Sequence, residues 1–159
     1  MSRHVDPVAL TPGGLDRLAA ELNYLKTTRR GEIAALFASI QTSAGGDSEQ
    51  ELERLTAREE MGLVETRISQ LEALLARAVV VEPTLREPGV ADVGARVTVE
   101  DEGEEDTYVL VSPAEASARR GHISIESPVG AALLGHRAGD VVEVDSPAGI
   151  RQLKILRVE

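Results

Sequence analysis

The feature that most constrains this chain is a pair of heptad patterns joined by a short glycine-containing segment. The first pattern is spaced by 3, 4 and 3 residues, and the second by 4, 3, 4 and 3. Their members are Leu15, Leu18, Leu22 and Leu25, followed by Val64, Ile68, Leu71, Leu75 and Ala78. This spacing is typical of helices with one apolar stripe. Because the connection is short, residues 1–78 are predicted to form an antiparallel coiled-coil hairpin.

Local signals place the ends of the first helix. Thr11 is a suitable N-cap with Pro12 at the first helical position, and Leu10 and Leu15 fit a hydrophobic staple. Beyond Leu25 the stripe continues through Arg29, Ile33, Leu36 and Ile40. The added step of four in that series is a stutter, which unwinds a supercoil locally, and Gly31 favours a slight bend there.

The tip between the helices, residues 44–51, is acidic. Gly45-Gly46 predicts the end of the first helix. Ser48 and Glu51 fit a capping box that starts the second helix. Near the tip that helix is mostly polar, so this end of the hairpin is expected to be thin and to lack a core.

From residue 79 the pattern changes. A linker with Pro83, Pro88 and Gly89 spans residues 79–91, and residues 92–159 contain short β-rich segments. Five strands are predicted, near 96–99, 107–111, 122–125, 140–144 and 149–156. Ser127, Pro128 and Gly135 bound a short helix as N-cap, first position and stop. The fold class is therefore α+β with two domains, and turns at 102–104 and 146–149 indicate antiparallel connections.

Composition excludes several classes of protein. With no cysteine, neither disulfides nor thiolate metal sites are possible. The net charge is −10 and aromatic residues make up 2%, so independent binding to a nucleic-acid backbone is not expected, and a basic protein surface or a metal ion fits better as partner. No apolar run is long enough for a membrane span and the first residues are not a signal peptide, which predicts a cytoplasmic protein with no membrane partner.

Two further kinds of site are disfavoured by spacing. His4, His122 and His136 are scattered without metal-ligand spacing. Gly13-Gly14 and Gly45-Gly46 lack the lysine and the context of a phosphate-binding loop. The chain alone is therefore expected to bind neither a metal nor a nucleotide.

Several motifs together resemble the bacterial Gre transcription factors. In the N-terminal part they are Leu10-Thr11-Pro12-Gly13-Gly14, Leu25-Lys26-Thr27, Arg30, Gly46-Asp47 and Ala57-Arg58-Glu59-Glu60. In the C-terminal part they are the segments 123–135, 139–144 and 146–150. The resemblance covers almost the whole chain in the right order.

This resemblance implies a mode of action. Gre factors dock an FKBP-like C-terminal domain on a coiled coil at the mouth of the secondary channel of RNA polymerase, and their helical rod enters the channel. The acidic tip meets the catalytic Mg²⁺ of the polymerase and helps to hold a second metal for hydrolysis of backtracked RNA. The factor would act as a monomer, with no active site or cofactor of its own, and nascent RNA in the channel is a further contact.

The tip departs from the family pattern. The usual tip reads Gly-Asp-Leu-Ser-Glu-Asn, which aligns with Gly46-Asp47-Ser48-Glu49-Gln50-Glu51. Asp47 is kept, but the second acid is replaced by Gln50, whose amide carries no charge. Glu49 or Glu51 would project about 100° away from that position around the helix. We therefore favour a channel-occluding inhibitor, with cleavage stimulation as the alternative and a prolyl isomerase or chaperone as a remote one.

The remaining candidate residues have a structural and a functional interpretation. Glu126, Ser127 and Pro128 match the segment with which Gre factors grip the polymerase, or they only start a helix. Acids at the tip also suit a helix N-terminus. Arg29 and Arg30 either pair with acids on the opposite helix or touch RNA. The segment Glu100–Asp106 is expected to be a solvated hairpin turn, with contact to a basic polymerase surface as the alternative.

Overall fold

The computed structural model describes residues 6–42 and 48–159. The predicted α+β architecture is confirmed, with a helical hairpin followed by a sheet-rich C-terminal domain. Grouped by their contacts, residues 1–15 and 78–159 form one compact unit, which we call the sheet unit. Residues 16–77 form the other, the helical unit.

The first arm of the hairpin is interrupted by a wider turn. Helix α1 spans Pro12–Tyr24, a π-helical turn spans Leu25–Arg29, and helix α2 spans Arg30–Thr42. A π turn accommodates an additional residue, and this insertion accounts for the stutter in the sequence pattern. It also shifts the stripe, since Leu36 is 43% exposed and Phe37 packs on the hairpin core in its place. The prediction that Leu36 faces the second helix was therefore wrong.

The second arm is a single helix, α3, over Ser48–Leu75. Ala78 was predicted to continue its stripe, but it lies instead in strand β2, Ala78–Val80. That strand pairs in parallel with β1, Val8–Leu10, an element that the sequence analysis did not predict. The Val81 amide also donates to the Leu10 carbonyl at 2.8 Å. The start and the end of the hairpin are thus joined by backbone hydrogen bonds.

The helices pack along a narrow core. Ile33, Val64 and Ile68 are buried together, with Leu22, Leu25, Phe37 and Met61 partly buried around them. Further along, Ile40 and Ala57 are buried, whereas Leu52 and Leu55 are 65% and 47% exposed. The expectation of a thin tip end without a core of its own agrees with these exposures. The predicted glycine stop at residues 45–46 lies outside the described residues.

The sheet unit contains a five-stranded sheet with the order β5-β4-β3-β7-β6. The strands are β3 (Arg96–Asp101), β4 (Glu104–Val111), β5 (His122–Ser124), β6 (Val141–Ser146) and β7 (Gly149–Val158). All pairings are antiparallel except that of β4 with β5. The predicted hairpins are present. The hairpin of β3 and β4 turns at Glu102 and Gly103, which both have positive φ.

One face of this sheet carries the main core of the molecule. Val97, Val99, Leu110 and Ile155 are fully buried there, and Leu133 joins them from helix α4, Pro128–Leu133. The predicted cap of α4 is confirmed, because the Ser127 hydroxyl accepts a hydrogen bond from the Gly130 amide at 3.1 Å. Gly135, with φ 82°, follows the helix as expected.

Candidate functional site

The predicted tip lies at the start of α3. Asp47, the retained tip acid, falls outside the described residues. Helix α3 begins at Ser48, so Glu49, Gln50 and Glu51 all belong to its first turn. Glu49 and Glu51 are exposed, whereas Gln50 is half-buried. Within the described part of the chain, the Gln50 side-chain oxygen is buried without a hydrogen-bond partner.

The helical geometry separates these three side chains. Consecutive residues on an α-helix point about 100° apart, so the two glutamates lie on either side of Gln50. Glu51 is also within 3.9 Å of Arg54, an exposed pair on the same helix. The first turn therefore carries two solvated carboxylates, which suit the positive end of the helix dipole, and one neutral amide.

Arg29 and Arg30 are both engaged by acids of the hairpin. Arg30 donates from Nε and a terminal nitrogen to the two oxygens of Glu65, at 2.8 and 2.9 Å. These hydrogen bonds raise the pKa of the Arg30 guanidinium. Arg29 pairs with Glu32 on its own helix and with Glu60 on α3. Of the two interpretations of these arginines, the structure shows the ion pairs between the helices.

Other ion pairs repeat this arrangement closer to the start of α1. Arg67 donates to both oxygens of Glu21 at 2.7 and 3.0 Å, and Lys26 donates to Glu72 at 2.8 Å. Each partner is about half exposed. Exposed pairs of this kind contribute little to stability. Each of these pairs connects the first arm of the hairpin to α3.

The segment 124–130 has the most ordered polar geometry of the predicted docking residues. The Ser127 hydroxyl donates to the Ser124 carbonyl at 2.6 Å and accepts from the Gly130 amide. The Ser124 hydroxyl in turn accepts from the Glu126 amide at 3.0 Å. Glu126 and Pro128 are exposed beside the half-buried Ser127. Ser127 therefore holds the turn, and Glu126 and Pro128 are presented to solvent.

Gly130 is required by this turn for steric reasons. A Cβ at this position would overlap the Ser124 carbonyl oxygen. The close approach brings the first turn of α4 against the end of β5, which explains why glycine and the Ser127 cap occur together. The two exposed side chains thus stand on a locally rigid backbone.

The acidic run Glu100–Asp106 covers the end of β3, the two-residue turn at Glu102 and Gly103, and the start of β4. Glu100 faces Glu105 and Asp101 faces Glu104 across the hairpin, an arrangement of like charges that is unfavourable by itself. Asp101 is paired with Arg151 on β7. A hairpin is present as predicted, but its turn is only Glu102 and Gly103, and Asp101 is half-buried. Contact with a basic partner stays a prediction.

Other kinds of site find no support in the described residues, 6–42 and 48–159. No three metal-ligating side chains are grouped there, and no helix is long and apolar enough to span a bilayer. A cavity of about 370 Å³ lies between residues 83–90 and the C-terminal residues 158–159. Its lining contains no aromatic side chain, so it does not resemble a pocket for proline.

The sequence analysis missed one residue with an unusual environment. Glu115 is 6% exposed, and its two oxygens accept hydrogen bonds from Thr11, one from the amide at 2.8 Å and one from the hydroxyl at 2.6 Å. These partners are 104 residues apart in the chain. The sequence contains one indirect signal of this contact, the pair Gly13-Gly14 after Pro12. Two glycines are unexpected there, because the segment is predicted to be helical and not a turn.

Comparison with known proteins identifies both parts of the chain. A family model described as "Transcription elongation factor, N-terminal" matches residues 8–80, and one described as "Transcription elongation factor, GreA/GreB, C-term" matches residues 86–159. The chain is 44% identical over 154 residues to "Transcription elongation factor GreA" of Chloroflexus aurantiacus, covering 96% of this chain and 97% of that protein. GreA of Thermoanaerobacter pseudethanolicus matches with the same identity and coverage.

Solved structures are also similar to the chain. The GreA factor homolog 1 (Gfh1) of Thermus thermophilus is 36% identical, with a TM-score of 0.44, and the match covers 96% of this chain and 99% of that one. A GreA/GreB factor from Nitrosomonas europaea is 25% identical, with a TM-score of 0.42 and coverages of 97% and 98%.

Proposed function

The chain belongs to the GreA/GreB family of transcription elongation factors, and from that premise we propose that it acts on bacterial RNA polymerase. We propose that the C-terminal domain docks at the rim of the secondary channel and that the helical hairpin enters the channel. There it inhibits RNA synthesis and supports little or no transcript cleavage. The observation that carries the proposal is the neutral Gln50 in place of the second tip acid.

Docking is assigned to the turn that Ser127 and Gly130 hold in place. Glu126 and Pro128 are exposed there on a backbone fixed by three hydrogen bonds. A rigid turn loses little conformational entropy when it binds, so its contacts are retained as affinity. Glu126 would pair with a basic group of the polymerase coiled coil, and Pro128 would supply an apolar contact.

The hairpin is suited to entering a narrow channel. Helix α3 has 28 residues, which corresponds to a length of about 42 Å at 1.5 Å per residue. Its surface is mostly polar, and ion pairs such as Arg30 with Glu65 connect the two arms. A rod of this kind would fill the route by which nucleotides reach the active site.

The side chains at the tip determine whether the hairpin supports RNA cleavage in the polymerase active site. Mg²⁺ prefers oxygen ligands, and carboxylates add charge that an amide lacks. A unit charge 4 Å from another is worth about 4 kcal/mol at an effective dielectric constant of about 20. Replacing the second acid by Gln50 removes attraction of this order from a second Mg²⁺. Asp47 alone would approach the catalytic metal without supporting efficient hydrolysis.

Transcript cleavage is the competing function, and one observation favours it. Glu49 and Glu51 are exposed in the first turn of α3, so each offers a solvated carboxylate close to the tip. Their directions differ from that of Gln50 by about 100°, which would require the rod to rotate in the channel. We therefore place occlusion ahead of cleavage.

The test uses a defined backtracked elongation complex of the organism's own RNA polymerase with Mg²⁺ and end-labelled RNA. We expect the protein to leave the RNA uncleaved and to slow its extension in proportion to occupancy. Release of short 3′ fragments, abolished by Asp47→Ala, would overturn inhibition in favour of cleavage. An absence of any effect on cleavage or extension would contradict the polymerase assignment itself.

A further inference from the structure

The first arm of the hairpin contains one residue more than a regular helix would need. Across the π turn, Leu25–Arg29, the Arg30 amide donates to the Leu25 carbonyl, which is five residues back, whereas an α-helix uses the residue four back. Thr27 contributes a second local bond, since its hydroxyl donates to the Asn23 carbonyl at 2.7 Å. The wider turn is therefore held by the backbone and by a side chain.

The sequence of this arm is also compatible with an uninterrupted α-helix. At about 100° per residue, Leu36 would then lie about 20° around the helix from Leu25, and Phe37 about 120° away. One inserted residue turns everything after it back by about 100°, which moves Phe37 onto the apolar stripe and Leu36 off it. The structure shows this arrangement, which we call the π register, with Leu36 43% exposed and Phe37 packed on the hairpin core. We call the uninterrupted helix the α register.

Both registers bury the same two isoleucines. Ile33 and Ile40 are 1% and 4% exposed in the π register. They also belong to the stripe of the α register, within about 80° of Leu25. Among the large apolar residues of α2, Leu36 and Phe37 exchange places. Apolar packing therefore does not by itself choose between the registers.

Arg29 is the residue that opposes the α register. In an uninterrupted helix it would lie about 40° from Leu25, inside the stripe, where a charged side chain is unfavourable. In the π register its side chain is one-third exposed and pairs with Glu32 at 2.9 Å and with Glu60 of α3. The charge of Arg29 therefore favours the register that the structure shows.

We infer that the π turn is a register switch of the first arm, kept in the π register by Arg29. In the α register, α2 turns by about 100° around its axis and moves along it by about 1.5 Å, the rise of one residue. Leu36 then enters the stripe, and Phe37 reaches the surface. The switch lies within the helical unit and belongs to the free protein. For a hairpin that enters a channel, the two registers present different surfaces to the channel wall, and this consequence alone rests on the proposed function.

The switch is tested by moving the cost of truncation from one side chain to the other. In the unaltered chain, we expect Phe37→Ala to lower the melting temperature of the helical circular dichroism signal by about 4–10 °C, and Leu36→Ala by less than about 2 °C. Arg29→Leu removes the charge and supplies an apolar side chain to the stripe of the α register. In that background, Leu36→Ala should become the costly substitution and Phe37→Ala the mild one.

Arg30→Leu is the matched control. Arg30 also pairs with an acid of α3, Glu65, but in an uninterrupted helix it would lie about 140° from Leu25 and outside the stripe. The costs at positions 36 and 37 should therefore stay as in the unaltered chain. A large cost that remains at Phe37 in the Arg29→Leu background, with no new cost at Leu36, would overturn the switch.

Deletion of Thr28 tests whether the turn holds one surplus residue. Without Thr28 the arm has the length of a regular helix while Phe37 keeps its place on the stripe. We expect the melting temperature to stay within about 3 °C of the unaltered chain or to rise. Deletion of Thr66, an exposed residue in the regular helix α3, is the control and should lower it by more than about 8 °C. Equal losses for the two deletions would contradict a surplus residue in the first arm.

A fluorine label reports the register directly. Phe37 is the single phenylalanine of the chain, so fluorophenylalanine incorporated during expression labels this position alone. In the unaltered protein we expect a fluorine resonance that changes little between light and heavy water, because the ring packs on the hairpin core. Arg29→Leu should give the solvent-dependent resonance of an exposed ring, and Arg30→Leu should not. A ring that stays shielded from solvent in Arg29→Leu would overturn the inference. None of these measurements uses polymerase, so a failure of the proposed function leaves their outcome unchanged.

Discussion

The sheet unit and the helical unit are stabilised in different ways. In the sheet unit, a contiguous cluster of buried residues on one face of the sheet surrounds Leu110 and Ile155. Among the described residues of the helical unit, Ile33, Val64 and Ile68 form a smaller buried cluster, and ion pairs at the surface flank it. Burial of apolar area provides most of the stabilisation in a fold, so the sheet unit is expected to be the more stable part.

This difference matches the two tasks that the proposed function assigns. A docking domain needs a rigid surface, and the buried core under β3, β4 and β7 provides it. A rod that enters a channel must be slender, and two helices side by side bury only a narrow stripe. The hairpin therefore depends on its joined ends and its ion pairs for a defined register.

The same contrast repeats within the hairpin. Val64 and Ile68 are buried in its middle, whereas Leu52 and Leu55 near the tip are largely exposed. Leu52 and Leu55 therefore contribute little apolar burial to the stability of the hairpin.

The largest effect is expected in the core of the sheet unit. Leu110→Ala removes a fully buried side chain and should cost about 2–5 kcal/mol in the free energy of unfolding, because it leaves a cavity. Urea denaturation followed by circular dichroism measures this. Ile150→Ala, on a side chain 71% exposed, serves as the control and should change stability by less than about 0.5 kcal/mol. Equal losses for the two variants would remove the contrast between core and surface.

A smaller effect is expected in the helical unit. Ile68→Ala should lower stability by about 2–3 kcal/mol, toward the lower end for a buried isoleucine, since the hairpin core is one stripe wide. Loss of helical signal before loss of sheet signal in the same denaturation would sharpen the comparison. Leu52→Ala, near the tip, should be nearly neutral, and a large loss there would contradict the description of a tip without a core.

The smallest effect is expected for the ion pairs. A double-mutant cycle of Glu21→Gln and Arg67→Met should give a coupling of about 0.2–1 kcal/mol, as is usual for exposed pairs. The hydrogen bonds with Glu21 raise the pKa of Arg67, so this arginine stays charged at any ordinary pH and added salt, rather than pH, should weaken the coupling. A coupling above about 2 kcal/mol would mean that ion pairs, rather than burial of the apolar stripe, provide most of the stability of the hairpin.

Much of this architecture could be predicted because its signals are local. The cap by Ser127, the first helical position at Pro12 and the alternating strands each depend on a few neighbouring residues, and all are present. The heptad spacing similarly predicted the buried Val64, Ile68 and Leu71. The parallel pair β1 and β2 was missed because three-residue strands 70 residues apart leave no periodic signal.

The remaining differences arise from backbone geometry and distant contacts. Because of the π turn at Leu25–Arg29, Phe37 and not Leu36 packs on the hairpin core. The sequence spacing indicates only that the helical register changes somewhere in this region. Glu115 was missed because its partners are remote in the chain. For the tip, the sequence identifies Gln50 as the departure, and the structure adds that Glu49 and Glu51 flank it as exposed carboxylates in the same turn.

The most direct measurement is the rate of RNA cleavage in a backtracked elongation complex with Gln50→Glu beside the unaltered protein. We expect Gln50→Glu to increase cleavage at least about tenfold, because it restores a carboxylate that attracts the second Mg²⁺. Gln70→Glu makes the same chemical change on the exposed surface of α3, about 30 Å along the helix, and should leave cleavage unchanged. Efficient cleavage by the unaltered protein, with no gain from Gln50→Glu, would contradict the central claim that Gln50 makes this chain an inhibitor.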